Sequence, residues 1–422
     1  MADTIFVQIA SYRDPELKKT LSDMIKRADE PENLRVGVAW QHSVEDDWDD
    51  LDDYKNDSRF RIIDVDYRKS KGVCWARNLV QQEYKDETFT LQIDSHHRFI
   101  DGWDSALKTM IYNLQQEGFK KPLITAYAPA YKPDDDPGGR VKIPWYMYFD
   151  RFIPEGAVFF LPGDMPEDAD TSKPVPARFY SAHMCFTLGE FSVEVQHNPN
   201  YYFHGEEISI AARAYTHGYD LFHPHIPIIY HEYTRVGRTK QWDDDKSWGN
   251  KNTKSHLLNR KLFGMDGLKQ SGHRGKYGFG KERTLEDYEE YAGIRFRDRS
   301  VQLYTSNNGI PPNPSKEAFP TEEDWSNSFK GIFKHCIDVS VADIMAIDDV
   351  MFWAVLLHDE DTNELFRKDL QQDEMMELVD SANGDFCQVW VDFITDSIPR
   401  KWMIWPHTNK SGWSQKQITG SL

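Results

Sequence analysis

The sequence has few cysteines, a deficit of positive charge and no long apolar run. Its four cysteines lie far apart and form no CxxC pair, which excludes a zinc cluster of paired cysteines and a disulfide framework. Lysine and arginine number 50 against 69 aspartates and glutamates, a formal charge of −19. Nucleic-acid binders depend on neutralising phosphates, so a DNA or RNA partner is disfavoured. No apolar run approaches the ~18 residues of a membrane span, and the opening MADTIFVQIA lacks the basic and apolar regions of a secretory signal. We therefore expect a cytoplasmic protein without a membrane partner.

Several widespread catalytic and nucleotide-binding motifs are also absent. The sequence contains no GxxxxGK[ST], no GxGxxG after a strand, no GxSxG and no HExxH. Aromatic residues, in contrast, are abundant: 24 Phe, 20 Tyr and 13 Trp. They supply material for packed cores and for surfaces that stack on ring-shaped ligands. A length of 422 residues predicts two or three domains.

Short apolar runs alternate with amphipathic stretches in the first third of the chain. Leu17, Leu21 and Met24, for example, recur at helical spacing after Pro15. Alternation of strand and helix at this spacing is typical of a mainly parallel sheet with helices on its faces, so we predict an α/β fold. The predicted strands are 5–10, 34–40, 61–65, 89–93 and 123–127, and the predicted helices are 16–28, 73–83 and 103–114.

The chain changes character further on. Residues 129–176 are rich in turn residues and predict irregular structure, and the proline-rich stretch 310–314 predicts a linker. Beyond it, alternating segments predict a small β-sandwich. We therefore expect an α/β domain over residues 1–300, a linker over 301–315 and a β-rich domain over 316–422.

Polar clusters stand where predicted apolar strands end. Ser11–Asp14 follows the first strand, Asp94–His97 follows the fourth, and His231 ends a later apolar run. His204–Glu207 precedes an amphipathic helix. Because ligands of α/β sheets bind beyond the carboxyl ends of the strands, these clusters predict a functional site.

Asp94 and His96 are the best candidates for metal ligands. Two residues apart just past a strand, they point the same way if the extended geometry persists. A carboxylate and an imidazole can then occupy two positions on one divalent cation. The triplet alone also fits a capped strand end with solvated side chains, and His231 alone also fits a hydrogen-bonded structural histidine.

Arg77 and the pair Glu206 and Glu207 admit two interpretations each. Arg77 follows Gly72 at a predicted helix start, where it suits either a phosphate or carboxylate ligand or a surface ion pair. Glu206 and Glu207 fit either a ligand contact or an ordinary acidic helix start. The aromatic residues Trp145 and Tyr146 suit stacking or core packing.

Taken in order, five segments resemble a known family. They are IFVQIASYRDPEL (5–17), GVCWARN (72–78), LQIDSHHRF (91–99), FHGEEISIAARAYTHGYDLFHP (203–224) and IIYHEYTR (228–235). The set resembles the retaining GT-A glycosyltransferases that attach N-acetylhexosamine to protein hydroxyls, and within them the polypeptide α-N-acetylglucosaminyltransferases of glycosyltransferase family 60. The resemblance covers roughly residues 4–260 and implies a GT-A catalytic domain with a Rossmann-like sheet.

The resemblance implies a role for each matching residue. Asp94, His96 and His231 would hold Mn²⁺ or Mg²⁺ on the diphosphate of a UDP-sugar, with His256 as a rival third ligand. Glu206 or Glu207 would act at the sugar or acceptor. The nucleotide-sugar site would comprise Ser11, Tyr12, Arg13, Arg77, Asn78 and Ser95, and the acceptor site Trp145, Tyr146, Tyr148 and His204.

The predicted reaction is transfer of N-acetylglucosamine from UDP-GlcNAc to a hydroxyl of protein Ser, Thr or hydroxyproline. One alternative is an enzyme of the same fold that acts on hydroxymethylated phage DNA or on a glycan. For DNA it would use a basic channel formed by Lys251, Lys254, Arg260 and Lys261. Another is a non-catalytic protein that only binds a sugar nucleotide or a carbohydrate.

Overall fold

The computed structural model describes residues 3–235, 237–272 and 275–422. The chain divides into two compact units, each formed by several segments. The first comprises Met1–Phe149, Glu155–Gly293 and Tyr304–Ser315, and the second comprises Asp150–Pro154, Ile294–Leu303 and Lys316–Leu422. None of the described helices combines the length and the apolar content needed to cross a membrane.

The regular elements up to residue 293 are predominantly short strands and helices in alternation. The strands are β1 (Ile5–Tyr12), β2 (Leu34–His42), β3 (Phe60–Asp66), β4 (Phe89–Ile93), β5 (His97–Phe99), β6 (Lys121–Ala126), β7 (Tyr146–Phe152), β8 (Val158–Gly163), β9 (Val175–Pro176), β10 (Met184–Leu188), β11 (Tyr219–His223) and β12 (Ile229–His231). The helices are α1 (Leu17–Arg27), α2 (Asp52–Lys55), α3 (Val73–Gln81), α4 (Trp103–Gln116), α5 (Phe191–Glu194), α6 (Glu206–Thr216), α7 (Gln241–Asp244), α8 (Trp248–Phe263) and α9 (Leu285–Ala292).

The main sheet has the strand order β3-β2-β1-β4-β10-β6-β11-β9. β1 runs parallel to β2 and β4, β2 to β3, and β6 to β11. β10 lies antiparallel between β4 and β6. This arrangement confirms the predicted α/β fold with a mainly parallel sheet.

Helices cover both faces of this sheet. On one face, Leu21 of α1 and Leu107 of α4 enter the core formed with the strands. On the other, Ala76 and Val80 of α3 pack against Phe6 of β1. Burial on both faces explains why β1 is a nearly continuous apolar run. In β4, the polar residues Thr90 and Gln92 are buried as fully as their apolar neighbours.

Strand pairing brings the polar clusters together. In the parallel pair β1 and β4, Ile9 lies opposite Ile93, so the residues that follow both strands emerge at the same sheet edge. A separate antiparallel pair, β5 with β12, places His231 opposite His97. The fold thereby gathers segments from residues 10–14, 94–97 and 231 into one place.

The predicted irregular segment 129–176 contains strands, and a further unpredicted strand follows it. β7 and β8 form a two-stranded sheet there. β10, just beyond, enters the main sheet against the direction of its neighbours. Each short strand is completed by a partner that the local pattern does not reveal.

The elements after residue 293 are mostly β-strands. They are β13 (Ile294–Arg295), β14 (Ser300–Gln302), β15 (Phe329–Ser340), β16 (Val350–His358), β17 (Glu364–Gln371), β18 (Phe386–Thr395), β19 (Lys401–Thr408), β20 (Gly412–Trp413) and β21 (Ile418–Ser421), with helices α10 (Leu303–Ser306), α11 (Glu322–Asn327), α12 (Val341–Met345) and α13 (Gln372–Asp380).

Two sheets of the second unit share one core. One sheet has the order β13-β14-β15-β18, and the other has β17-β16-β19-β20 with β21 beside β19. Ile337 of β15, Trp353 of β16 and Ile404 of β19 are buried in the common cluster. The predicted β-rich C-terminal region is therefore confirmed.

Candidate active site

A pocket of about 400 Å³ opens at the sheet edge where β1 and β4 end. Its walls come from the loops after these strands, from the start of α6 and from the segment after β12. Tyr12, Asp94, Glu207 and His231 all line it. Sites of α/β sheets form at such edges, because several strand ends deliver side chains there at once.

Asp94, His96 and His231 converge at this pocket. The Nε2 atoms of His96 and His231 are 3.0 Å apart, and His231 Nε2 lies 3.4 Å from Asp94 Oδ2. One ligand atom from each residue lies within 4.8 Å of the other two. One carboxylate oxygen with two imidazole nitrogens is a set that divalent transition metals accept, so the residues present fit a metal ion.

The histidine that β12 contributes is electrically neutral. Burial, together with the nearby imidazoles of His183 and His96, holds the pKa of His231 well below its ordinary value. A neutral imidazole offers a nitrogen lone pair, which a protonated one lacks. The site thus provides a ligand atom at physiological pH.

Arg77 reaches from α3 to the carboxylate of Asp94. Its Nη2 donates to Asp94 Oδ1 at 2.8 Å, which leaves Oδ2 on the side of His231. Burial alone would raise the pKa of Asp94, but the hydrogen bond to His231 and the charge of Arg77 hold it well below the ordinary value. Asp94 therefore remains ionised in the protein interior.

The other end of the Arg77 guanidinium is bound by Glu206, the first residue of α6. Arg77 Nη1 donates to Glu206 Oε1 at 2.5 Å, while Cys74 Sγ and His197 Nδ1 each lie 3.1 Å from Oε2. Burial opposes ionisation, but Arg77 and His197 lower the pKa of Glu206 to about 2. Every oxygen of this carboxylate thus has a protein partner.

The adjacent Glu207 differs from Glu206 in its protonation state. Its Oε1 accepts a hydrogen bond of 2.9 Å from the backbone N–H of Ala182. Burial and the negative charge of Glu206 raise the pKa of Glu207 to about 8. At neutral pH this side chain is a protonated carboxyl group that lines the pocket and can donate a hydrogen bond.

The family to which the chain belongs follows from its sequence. The model of the family described as "Glycosyltransferase (GlcNAc)" matches residues 4–57 and 49–298, more than half of the chain. The chain belongs to this family. It is therefore an enzyme, a glycosyltransferase, as predicted. No curated protein matches it.

Solved structures give weak matches at low identity. A crystal structure of GalNAc-T7 with UDP, GalNAc and Mn²⁺ is 13% identical with a TM-score of 0.46, and the match covers 68% of this chain and 54% of that one. TarS 1–349 of S. aureus with UDP-GlcNAc is 12% identical (TM-score 0.36; 57% and 61%). The mannosyltransferase PcManGT of Pyrobaculum calidifontis with GDP-Man and Mn²⁺ is 10% identical (TM-score 0.33; 55% and 58%). The glycosyltransferase described here thus spans about half the length of the GalNAc-T7 chain.

Three of the residues predicted to bind the nucleotide-sugar lie at the pocket, namely Tyr12, Arg77 and Ser95. The Tyr12 hydroxyl donates to Asp244 Oδ2 at 2.8 Å. Ser95 Oγ donates to Asp14 Oδ2 at 2.7 Å.

The other three serve the surrounding structure of the glycosyltransferase. Arg13 forms a two-bond ion pair with Asp46, at 2.6 and 2.9 Å. The carbonyl of Ser11, a buried residue, accepts from Gln41 Nε2 at 3.0 Å. Asn78 Nδ2 donates to the backbone oxygen of His197 at 2.9 Å. A role for these side chains in nucleotide binding stays a prediction.

The residues predicted for the acceptor site are dispersed. His204 lines the pocket, with its ring centroid 5.1 Å from that of Phe159. Tyr146 is buried, and its hydroxyl donates to the oxygen of Pro176 at 2.9 Å. Trp145 lies beside the pocket residue Tyr233, at 6.2 Å between centroids, and the hydroxyl of Tyr148 donates to the oxygen of Asp164.

His256, the rival third ligand, lies on α8 beside His204, at 6.0 Å between ring centroids. Among the described residues, the group that contains Asp94 and could hold a metal ion includes His231, and no such group includes His256. The residues of the proposed basic channel are on the same helix, where Lys251 pairs with Asp245 at 2.5 Å and Arg260 with Asp266 at 3.6 Å.

Sequence reasoning missed two residues that the fold adds to the site. His183 stacks on His231 with 4.3 Å between ring centroids, and burial lowers its pKa to about 4. Asp14 contacts His96 and Ser95. Asp14 stood in one of the polar clusters, but no spacing signal distinguished it from its neighbours, and His183 precedes β10, a strand that was itself not predicted.

Proposed function

We propose that this glycosyltransferase moves N-acetylglucosamine from UDP-GlcNAc to a hydroxyl group of a protein Ser, Thr or hydroxyproline, with retention of the anomeric configuration. The observation that carries the proposal is the convergence of Asp94, His96 and His231 at one pocket in a chain of the GlcNAc glycosyltransferase family. The family description supports the donor sugar, and the pocket supports the metal-assisted mechanism.

Asp94, His96 and His231 would hold the metal ion. Two imidazoles among three ligands favour Mn²⁺ over Mg²⁺, because Mg²⁺ prefers an all-oxygen octahedron. When bound, a divalent cation stabilises the negative charge that develops on the departing diphosphate. Arg77, fixed between Asp94 and Glu206, keeps the Asp94 carboxylate ionised and oriented.

The two adjacent glutamates then have separate roles. Glu206 anchors Arg77, and both of its oxygens already contact protein groups. Glu207, protonated and at the pocket wall, is the residue we assign to the sugar or acceptor, where it donates a hydrogen bond to a hydroxyl or carbonyl oxygen.

The charge states of the pocket carboxyl groups favour attack on the face from which the diphosphate departs. Of the carboxyl groups that line the pocket in the described residues, Asp14, Asp94 and Glu206 are bound to imidazole or guanidinium groups, and Glu207 is protonated. None of these four is a free carboxylate nucleophile, which a covalent double displacement requires. The acceptor oxygen would attack directly and pass its proton to the leaving phosphate.

The acceptor would lie against an aromatic rim. Phe159, Phe203, His204 and Trp242 line one side of the pocket, and Phe203 is 40% exposed. Exposed rings of this kind stack on sugar or peptide groups. The rim supports a peptide or glycan acceptor better than DNA, since two cations of the supposed basic channel are already paired with acidic residues.

The test is hydrolysis and transfer with purified protein. UDP-GlcNAc, UDP-GalNAc, UDP-glucose and GDP-mannose are compared with and without Mn²⁺, then with peptides that present Ser, Thr or hydroxyproline and with a glycan panel. We expect Mn²⁺-dependent turnover of UDP-GlcNAc that Asp94→Asn abolishes. Asp104→Asn is the control, because Asp104 is a buried aspartate that bonds only to the backbone N–H groups of Asp29 and Glu30 among the contacts described.

The outcomes separate the alternatives. Transfer to the glycan panel alone would refute a protein acceptor, and preference for another donor would refute UDP-GlcNAc as the donor. Activity that survives Asp94→Asn would refute the metal role. Proton NMR of the fresh product reports the anomeric configuration, and an inverted product would refute the retaining mechanism.

A further inference from the structure

Asp14 is a buried carboxylate that stands directly behind the proposed metal ligands. It follows β1, is 3% exposed and lies next to Arg13, whose φ of 43° places the backbone in the left-handed region. That conformation is uncommon for a residue other than glycine. Here the hydrogen bond from Arg13 N to Gln41 O, 2.9 Å long, holds the turn, which directs the next side chain inward.

The shortest contacts of Asp14 are with Ser95 and His96, in the segment that carries two of the proposed metal ligands. Its Oδ2 lies 2.7 Å from His96 Nδ1 and accepts from Ser95 Oγ at 2.7 Å. Its Oδ1 accepts from the backbone N–H of Glu16 at 3.0 Å, and Arg238 Nη1 lies farther away, 3.4 Å from Oδ2.

These contacts determine which nitrogen of His96 carries the proton. An ionised carboxylate can only accept hydrogen bonds, so Nδ1 of His96 must be the N–H donor. In the neutral ring, Nε2 is then the unprotonated nitrogen. It faces His231 Nε2 at 3.0 Å, within the group that includes Asp94.

We propose that Asp14 is a positioning residue, which holds His96 as the Nδ1–H tautomer and thereby keeps Nε2 available as a metal ligand. The inference rests on the metal site of the proposed function. A carboxylate behind a ligating histidine fixes both the tautomer and the ring orientation, and its loss typically lowers metal affinity ~10- to 100-fold. An aspartate that served only to close the turn after β1 would influence stability but not the tautomer.

The first test uses metal-free protein. Histidine labelled with ¹⁵N in the ring reports the tautomer by NMR, and His96→Gln identifies the His96 signals among those of the 15 histidines. We expect Nδ1–H in the native protein. In Asp14→Asn the amide can donate to Nδ1 and stabilise the opposite tautomer, as replacement of a carboxylate behind a histidine is known to do in the serine protease triad. Asp104→Asn should leave the His96 signals unchanged.

The second test measures Mn²⁺ binding by electron paramagnetic resonance of the free ion, without turnover. We expect Asp14→Asn to bind Mn²⁺ ~10- to 100-fold more weakly than the native protein. Asp14→Ala, which leaves both tautomers accessible, should fall between the two. If the aspartate variants fail to fold, as thermal unfolding would show, Ser95→Ala loosens the same carboxylate with a smaller change and should weaken binding in the same direction.

The two readouts distinguish this inference from the proposed function. An Nδ1–H tautomer that persists in Asp14→Asn with Mn²⁺ affinity within about twofold of native would overturn the role of Asp14. If the native protein binds no Mn²⁺, the metal-dependent function fails, while the tautomer measurement still decides whether Asp14 controls His96.

Discussion

The stability that Glu207→Gln gains over the native protein should increase as the pH rises. The folded state raises the pKa of Glu207 from an ordinary 4.5 to about 8. Below pH 4.5 the side chain is protonated in both the folded and the unfolded state. Between 4.5 and about 8 only the unfolded state ionises, so the native protein loses stability there by ~1.36 kcal/mol per pH unit. The full loss, complete above pH 8, is about 5 kcal/mol.

Glutamine is a neutral isostere and escapes this loss. The free energy of unfolding of Glu207→Gln, measured by urea titration in EDTA, should therefore exceed that of the native protein by a margin that grows between pH 5 and pH 8 by about 4 kcal/mol. Glu206→Gln is the control of opposite sign. Because the pKa of Glu206 falls to about 2, Glu206 is ionised over this pH range, and its loss should lower stability by ~3–5 kcal/mol near pH 5. The deficit should narrow toward pH 8, because the charge that raises the pKa of Glu207 is also removed. Parallel pH curves for the native protein and Glu207→Gln would refute a protonated Glu207.

Three further substitutions test single contacts. In Arg77→Lys a single ammonium group replaces the guanidinium that bridges Asp94 and Glu206, so kcat/KM for the UDP-sugar should fall at least about 100-fold and the free energy of unfolding by ~3 kcal/mol. The control is Arg68→Lys: Arg68 is an exposed partner of Asp66, and its replacement should change the free energy of unfolding by less than ~0.5 kcal/mol. Gly72→Ala should lower the free energy of unfolding by more than the ~1–3 kcal/mol of backbone strain at φ 108°, because its Cβ would also meet the ring and carbonyl of Tyr202 at 2.7 and 2.8 Å. Gly118→Ala measures the backbone strain alone, since Gly118 has a similar φ of 104° and open space around it among the described residues. Trp353→Ala should destabilise the second unit by ~3–5 kcal/mol in calorimetry, and an unchanged transition would contradict its place in that core.

The parts of the fold that follow from local patterns were predictable. β1, β2, β3, β4 and β6 were recognised because short segments rich in β-branched and aromatic residues alternate there with amphipathic stretches. β10 was not recognised, since an antiparallel strand inserted among parallel ones depends on partners from residues 89–93 and 121–126. A sequence pattern describes the face that a segment buries, but not the strand beside it.

The residues of the candidate site likewise divide into those that local patterns place and those that long-range pairing places. Asp94 and the Ser11–Asp14 cluster were placed together because parallel neighbours end at one edge, and this rule needs no long-range detail. His231 also stood at the end of an apolar run, but only the family resemblance made it a metal ligand, and the pairing of β5 with β12 that places it opposite His97 was not predicted. The contact between Asp14 and His96 joins residues 82 positions apart and depends on a single backbone angle at Arg13.

Glu206 and Glu207 show why neighbours in sequence can differ most in chemistry. Both begin α6, where an acidic residue is favoured by the helix dipole, so sequence reasoning assigned them one interchangeable role. Successive helix positions point about 100° apart, and that rotation turns Glu206 toward Arg77 and His197 while Glu207 meets only the N–H of Ala182 among the contacts described. The ionised Glu206 in turn raises the pKa of Glu207. The negative charge of Glu206 therefore both holds Arg77 beside Asp94 and keeps Glu207 protonated. A change at Glu206 should alter the proposed metal ligand Asp94 and the hydrogen-bond donor Glu207 together.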